Sequence, residues 1–432
     1  MTQPSGSAAT APAPVTTPTA QNAVAATPSP LPVQATATPK SRDTPRELRR
    51  LTTLVIVAGL VFGATGLATF LLLTSALQRA ESSTAQLIRV QQIQTNLLRA
   101  DANATNAFLV GGLERADQRK AYDDAITETS QLIAEAADAE PADQDALSAL
   151  NVELIDYTEN IELARANNRQ GFPVGAQYLR NASGGLRADA MPVLDILVAA
   201  NADRAESQMH ARIAILFAVV GLAVIGLLLW VQVRLARRFK RRFNVGLGIA
   251  SGVGAATLIV GLVALGWASV TIGNIRDGSF TDVRDAATAR IEGNNAKSNE
   301  SLTLIARGSG GSFEEAWKTS AAVVEDRISR FGRDFEVVWQ PYVDVHTQIR
   351  ELDDGGQWDK AVALATTQSN TTFTSFDTNV ARVVDSASAE TTGGLAATVP
   401  WMVIGAVVSL VAGIAMAVLG RRGLAQRLKE YR

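Results

Sequence analysis

Cysteine is absent from this 432-residue sequence, which removes disulfides, thiolate metal sites and thiol catalysis together. Histidine is almost absent too. The two copies, His210 and His346, lie in different segments, and no HExxH, Cys/His cluster or GxSxG occurs. The glycine-rich stretch Gly308–Gly311 lacks the following Gly-Lys-Ser/Thr of a phosphate cradle and reads as a turn. No enzymatic activity, metal or other cofactor is therefore expected. Proline is scarce in the body of the chain, because nine of the 14 fall in residues 1–45. That segment is rich in Ala, Thr and Gln and carries almost no charge before Lys40, so it reads as a disordered tail. Charge is missing from four long stretches, and these stretches set the architecture.

The uncharged apolar runs are 51–77, 213–233, 245–272 and 399–419. A hydrocarbon core of roughly 30 Å needs about 20 helical residues, so each run can span a bilayer. They come as two pairs, with large polar segments 78–211 and 274–397 inside the pairs and only residues 234–244 between them. Basic clusters flank the spans: Lys40 to Arg50 before the first, Arg234 to Arg242 between the second and third, and Arg421 to Arg432 after the fourth. Positive residues near span ends stay in the cytoplasm, so both termini and the 234–244 loop are predicted inside a multi-pass cell-membrane protein. Trp230, Trp267 and Trp401 sit near span ends, as an interfacial belt requires.

The overall charge of −2 hides an asymmetry. Residues 78–211 hold 20 acidic and 11 basic side chains, and residues 274–397 hold 19 and 12. The basic clusters read as topology determinants and anionic-lipid contacts, worth about 1 kcal/mol per residue near a charged surface. Arg237, Arg238, Arg241, Arg242, Arg421 and Arg422 are the candidates for that role and for contact with a cytoplasmic partner. No basic patch with interleaved aromatics lies elsewhere, which argues against nucleic acid.

Helical periodicity dominates both polar segments. Leu87, Val90, Ile93, Leu97, Ala100, Ala104 and Phe108 recur at steps of three and four, as do Leu147, Leu150, Leu154, Tyr157 and Ile161. Gly111-Gly112, Pro141 and Asn167–Gly171 mark breaks, giving helices to about 111, 114–138, 142–167 and 173–211. The second segment repeats the plan. Val283, Ala287, Ile291, Asn294, Ser298 and Ile305 form a seam, Gly308–Gly311 matches Gly111-Gly112, and Asp353–Trp358 matches Asn167–Phe172. Heptad steps from Ile328 to Leu352 run unbroken across Gly332 and Pro341, and either can mark the helix 2–3 turn. The fold class is all-α: four transmembrane helices carrying two extracytoplasmic antiparallel four-helix bundles in tandem.

The span interiors carry no ionisable group of the kind a coupled transporter uses. Gly59/Gly63 and Gly248/Gly252 have small-xxx-small spacing, which suits close packing among the four spans or a homodimer. The first helix of each bundle carries a polar stretch just before its tip: Arg99, Asp101, Asn103 and Asn106 in one, Asn294, Asn295 and Ser298 in the other. Two readings are open. The stretch is a polar layer that fixes helix register, or it is a binding site for a small ligand or partner.

Leu98-Arg99-Ala100-Asp101-Ala102-Asn103-Ala104 and Tyr178-Leu179-Arg180-Asn181-Ala182-Ser183 resemble the four-helix-bundle sensor domain of methyl-accepting chemotaxis receptors. The residues after the second span leave no room for those receptors' cytoplasmic relay and signalling coil. The whole layout, with its Pro/Ala/Thr-rich tail and short basic ends, resembles GlnX-type actinobacterial integral membrane proteins. That resemblance implies a sensor or relay for extracellular nutrient status, amino acids in particular. It also implies a solute-binding lipoprotein docked outside and a cytoplasmic Ser/Thr kinase controlled inside. A scaffolding protein of the cell envelope and an accessory transporter subunit are the alternatives.

Overall fold

In the computed structural model, residues 44–111, 114–209, 214–239 and 244–429 are described, and all their regular structure is helical. The helices are α1 (Thr44–Val110), α2 (Ala116–Ala139), α3 (Gln144–Arg169), α4 (Val174–Gly185), α5 (Met191–Met209), α6 (Ala214–Phe239), α7 (Val245–Ile275), α8 (Thr281–Ile305), α9 (Gly311–Ile328), α10 (Arg333–Asp354), α11 (Trp358–Thr366) and α12 (Gln368–Lys429). Four helical stretches are long and apolar enough to cross a membrane, one in each expected place. α1 begins at Thr44, inside the segment expected to be tail. A helix can start there although the sequence has a proline, because the N–H groups of a first turn have no intrahelical partner to lose.

The spans pack through small residues. A Cβ on Gly413 of α12 would lie 2.5 Å from the Gly63 Cα and 2.6 Å from the Gly59 carbonyl oxygen of α1. The Gly59/Gly63 motif is thus spent on contact within the chain. Gly252 of α7 has open space beside it. Phe62, Phe70 and Phe217 close the middle of the membrane core, with Phe217 about 5.7 and 5.9 Å from its two partners.

Outside the spans, α1 to α5 form the first bundle and α8 to α12 the second. α1 runs unbroken for 67 residues, about 100 Å, from the first basic cluster to the membrane-distal tip. α12 does the same for 62 residues on the second bundle's side. The fourth helix of the first bundle contains a wide turn, Leu186–Ala190, where the Met191 N–H bonds back to the Leu186 carbonyl. Residues 210–213, where the expected helix 173–211 meets the expected span 213–233, lie outside the described residues. A second wide turn, Arg276–Phe280, bends the chain between α7 and α8 at Gly278, and Thr281 Oγ1 donates to the Arg276 carbonyl it frees.

The matched loops have matched geometry. Gly171 at φ +71° ends α3, with Phe172 N–H bonded to Asn167 O (2.9 Å) and Gly171 N–H to Asn168 O (3.0 Å). Gly356 at φ +70° ends α10, with Gln357 N–H bonded to Leu352 O (2.8 Å) and Gly356 N–H to Asp353 O (3.0 Å). Both are the left-handed glycine cap that satisfies terminal carbonyls. The helix 2–3 turn of the second bundle falls at Gly332, whose φ of +86° any side chain would strain. Pro341 lies inside α10, and the buried seam of Trp339, Tyr342, Val345 and Ile349 continues past it.

Candidate functional site

The polar stretches of the two first helices meet. α1 and α8 pack side by side, so the bundles dock along this seam. Asp101, fully buried, is the centre of the contact. It accepts from Ser183 Oγ of its own bundle (2.6 Å) and from Ser298 Oγ of the other bundle (2.6 Å). The Arg187 guanidinium bonds Asp101 at 3.0 Å and reaches across to Asn295 Oδ1 and Ser298 Oγ, both at 3.0 Å. A buried carboxylate is tolerated when a cation and several hydrogen bonds replace its water, and Asp101 has both. Asn295 also donates to Ser320 Oγ (3.0 Å), which donates to Glu292 (2.7 Å). The layer therefore joins the two bundles, whereas the register reading placed it within a single bundle.

Closer to the tip, Asn106 links α1 to the second bundle. Its Oδ1 accepts from Gln118 (2.9 Å) and Asn370 (2.8 Å), and its Nδ2 donates to the Ala365 carbonyl (3.3 Å). Arg99, Asn103, Asn106 and Asn294 all line one cleft of about 430 Å³ between α1 and α2 on one side and α8 and α12 on the other. Arg99 pairs with Glu128 at 3.2 Å, and Asn103 donates only to its own helix, at Arg99 O (2.8 Å). Asn294 donates to Arg290 O (2.9 Å) and Asp377 (3.2 Å), and its buried carbonyl oxygen has no donor. The cleft also presents Asp117, Asp124 and Asp377. The predicted residues thus divide into two groups, Asp101, Asn295 and Ser298 in the docking layer and the other four around the cleft.

Sequence reasoning missed a charged cluster beside them. Lys297 and Glu300, on the same α8 stretch, are buried and pair at 2.7 Å. Lys297 also donates to Ser369 Oγ (2.7 Å) and Ala365 O (3.2 Å). His346 of α10 sits between Glu300 (Nδ1, 3.1 Å) and Glu314 (Nε2, 3.2 Å) and stacks on Trp317 with ring centres 3.6 Å apart. Burial opposes ionisation of Glu300, but Lys297 and His346 outweigh it and hold its pKa down to about 2. Burial likewise opposes the imidazolium, and the two carboxylates overcome it and raise His346 above its ordinary value. The signal for this cluster was the i,i+3 spacing of Lys297 and Glu300. The histidine partner lies 46 residues further on, beyond any local pattern. Arg187 was missed for the same reason.

The first bundle has its own cavity at the tip, about 380 Å³, bordered by Phe108, Leu179 and Arg165. Arg165 is bound by Glu114 (3.1 Å) and Glu162 (2.8 Å) and lies 4.0 Å over the Tyr122 ring. Among the described residues no cluster of three metal-ligating side chains occurs.

At the opposite end, Asn244 caps α7 and donates Nδ2 to the Gly423 carbonyl of α12 (2.9 Å), while Arg234 of α6 pairs with Glu47 of α1 (2.9 Å). Arg237, Arg421 and Arg422 are exposed there. The side chain of Arg238, and Arg241 and Arg242 altogether, lie outside the described residues.

Residues 76–210 match the family model of the actinobacterial sensor domain. The match covers the membrane-distal part of α1 through α5, the half of the docking layer that holds Asp101, Ser183 and Arg187, and it supports a sensor protein of actinobacterial type. No curated protein and no solved structure matches the chain.

Proposed function

We propose that the chain is a non-enzymatic transmembrane sensor and relay. The carrying observation is α1: one unbroken helix joins the cleft and docking layer outside to the first basic cluster at the other membrane face. A helix that long moves as a rod, so a small shift or tilt of one bundle against the other displaces its far end by a similar amount. The amide-rich cleft suits a polar solute or a partner loop offering hydrogen bonds. In this reading both bundles face outside and the basic ends face the cytoplasm. The input is nutrient status, amino acids delivered by a solute-binding lipoprotein in particular, and the output is a Ser/Thr kinase reading Arg237, Arg421 and Arg422.

Because the chain has no cysteine, introduced thiols are unique labels. Spin labels on R237C/R422C report the inner face in lipid nanodiscs, and labels on S148C/S312C report the bundles. Loosening the docking layer with D101A/S298A should shift both distance distributions, the inner one by roughly 1–2 Å. A changed outer distance with an unchanged inner one would leave the scaffold reading standing instead. In intact cells an impermeant maleimide should react at Ser148→Cys but reach Arg422→Cys only after lysis, and the reverse pattern would invert the orientation.

A further inference from the structure

The membrane region contains a groove that the relay does not use. It runs between α1 and α6, has a volume of about 740 Å³, and is walled by apolar side chains such as Leu54, Val57, Val61, Val219 and Leu227. Its two walls are held to each other at both ends. At mid-membrane, Phe62 and Phe70 grip Phe217, and at the basic end Glu47 pairs with Arg234 at 2.9 Å. The lined stretch of α1 from Arg50 to Val61 rises about 17 Å, close to the 15 Å or so of one leaflet's hydrocarbon. Leu54, Val57 and Val61 are 38–51% exposed along it, so no other part of the described chain covers them.

The mouth is charged. Arg49, Arg50 and Thr53 line the end of the groove at the basic face. Neither arginine makes an ion pair among the described residues, and Thr53 spends its hydroxyl on the Arg49 carbonyl (3.2 Å). Two guanidinium groups above a one-leaflet apolar slot complement a phosphodiester above an acyl chain. We propose that the α1–α6 groove is a binding site for an anionic phospholipid of the Arg49 leaflet, one acyl chain between the helices and the phosphate on Arg49 and Arg50.

The test is native mass spectrometry of the full chain released from micelles containing equal phosphatidylglycerol and phosphatidylcholine with the same acyl chains. The wild type should retain phosphatidylglycerol in preference. Each arginine beside an anionic headgroup is worth roughly a fivefold preference, so R49Q/R50Q should lower it about twenty-fivefold and R49K/R50K should restore much of it. A223F keeps every charge but fills the exposed groove wall at Ala223, and it should lose both lipids. sn-Glycero-3-phosphoglycerol, the phosphatidylglycerol headgroup without chains, should not compete. Retention unchanged in A223F would mean diffuse surface charge and overturn the site. So would unchanged preference in R49Q/R50Q, competition by the free headgroup, or a lipid-free dimer whose second copy covers the groove.

Discussion

His346 is a buried imidazole whose two ring nitrogens both face carboxylates, Glu300 and Glu314. That arrangement favours the charged ring, which raises its pKa despite burial. A group with a raised folded pKa stabilises most below its unfolded value, about 6.5, and that contribution is lost as pH rises through the folded value. Glu300 has the opposite sign. Its pKa is lowered from 4.5 to about 2, so its contribution is present above 4.5 and lost as pH falls toward 2. The second bundle should therefore be most stable between about 4.5 and 6.5, and its melting temperature should fall as pH rises above that window. Melting curves of the full chain in micelles from about pH 5 to 9 check this, and H346Q should flatten the alkaline limb. An equally steep limb in H346Q would assign the loss to another group. At this scale the sequence marks which short stretches carry buried polarity, since Asp101, Asn106, Asn294 and Ser298 are all buried. It does not mark their partners. Arg187 reaches Asp101 from 86 residues away and Ser298 from 111, and only the docked helices create those pairs.

Helices were legible where period and punctuation agree. The glycine caps at Gly171 and Gly356 and the break at Pro141 fall where expected, because each residue has a conformational preference that operates locally. The competition between Gly332 and Pro341 was not decidable from the heptads, since both lie in one apolar seam. Gly332 wins because the turn needs a left-handed φ, whereas a helix can carry a proline at the cost of one hydrogen bond. The pairing of α1 with α12 was also hidden, because small-residue spacing permits close approach without naming the partner. Its consequence is measurable. A side chain on Gly413 would drive into the Gly63 backbone, which cannot yield, so G413L should force α1 and α12 apart and cost about 1–3 kcal/mol. G252A, at a position facing open space, should leave melting in micelles unchanged or slightly raised. Equal melting of G413L and wild type would mean that the α1–α12 contact contributes little.

As a whole molecule, the chain is two bundles joined by a polar seam rather than two independent sensors on separate stalks. Repeat architecture is visible in sequence because it repeats; the face by which the repeats dock is visible only once α1 and α8 lie together. The seam puts a charge where an apolar contact would be simpler, and that choice has an energetic signature. Removing Ser298 leaves Asp101 without one of its donors, while removing Asp101 leaves Ser298 with Arg187 and a half-buried guanidinium free to turn toward water. S298A is therefore damaging through Asp101, which loses a donor, and D101A takes from the Ser298 hydroxyl its acceptor, so the two residues share one interaction. The double variant should cost less than the sum, with a coupling of about 0.5–3 kcal/mol in denaturant unfolding of the full chain. N103A is the contrast, since Asn103 bonds only within its own helix and should couple to neither bundle partner. The wild type should also lose both bundles in one transition, because α1 and α12 each belong to the membrane core and to the seam. Additivity of D101A and S298A within about 0.3–0.5 kcal/mol, or two separated transitions, would mean that the bundles stand apart and that a ligand in one cannot be felt through the other.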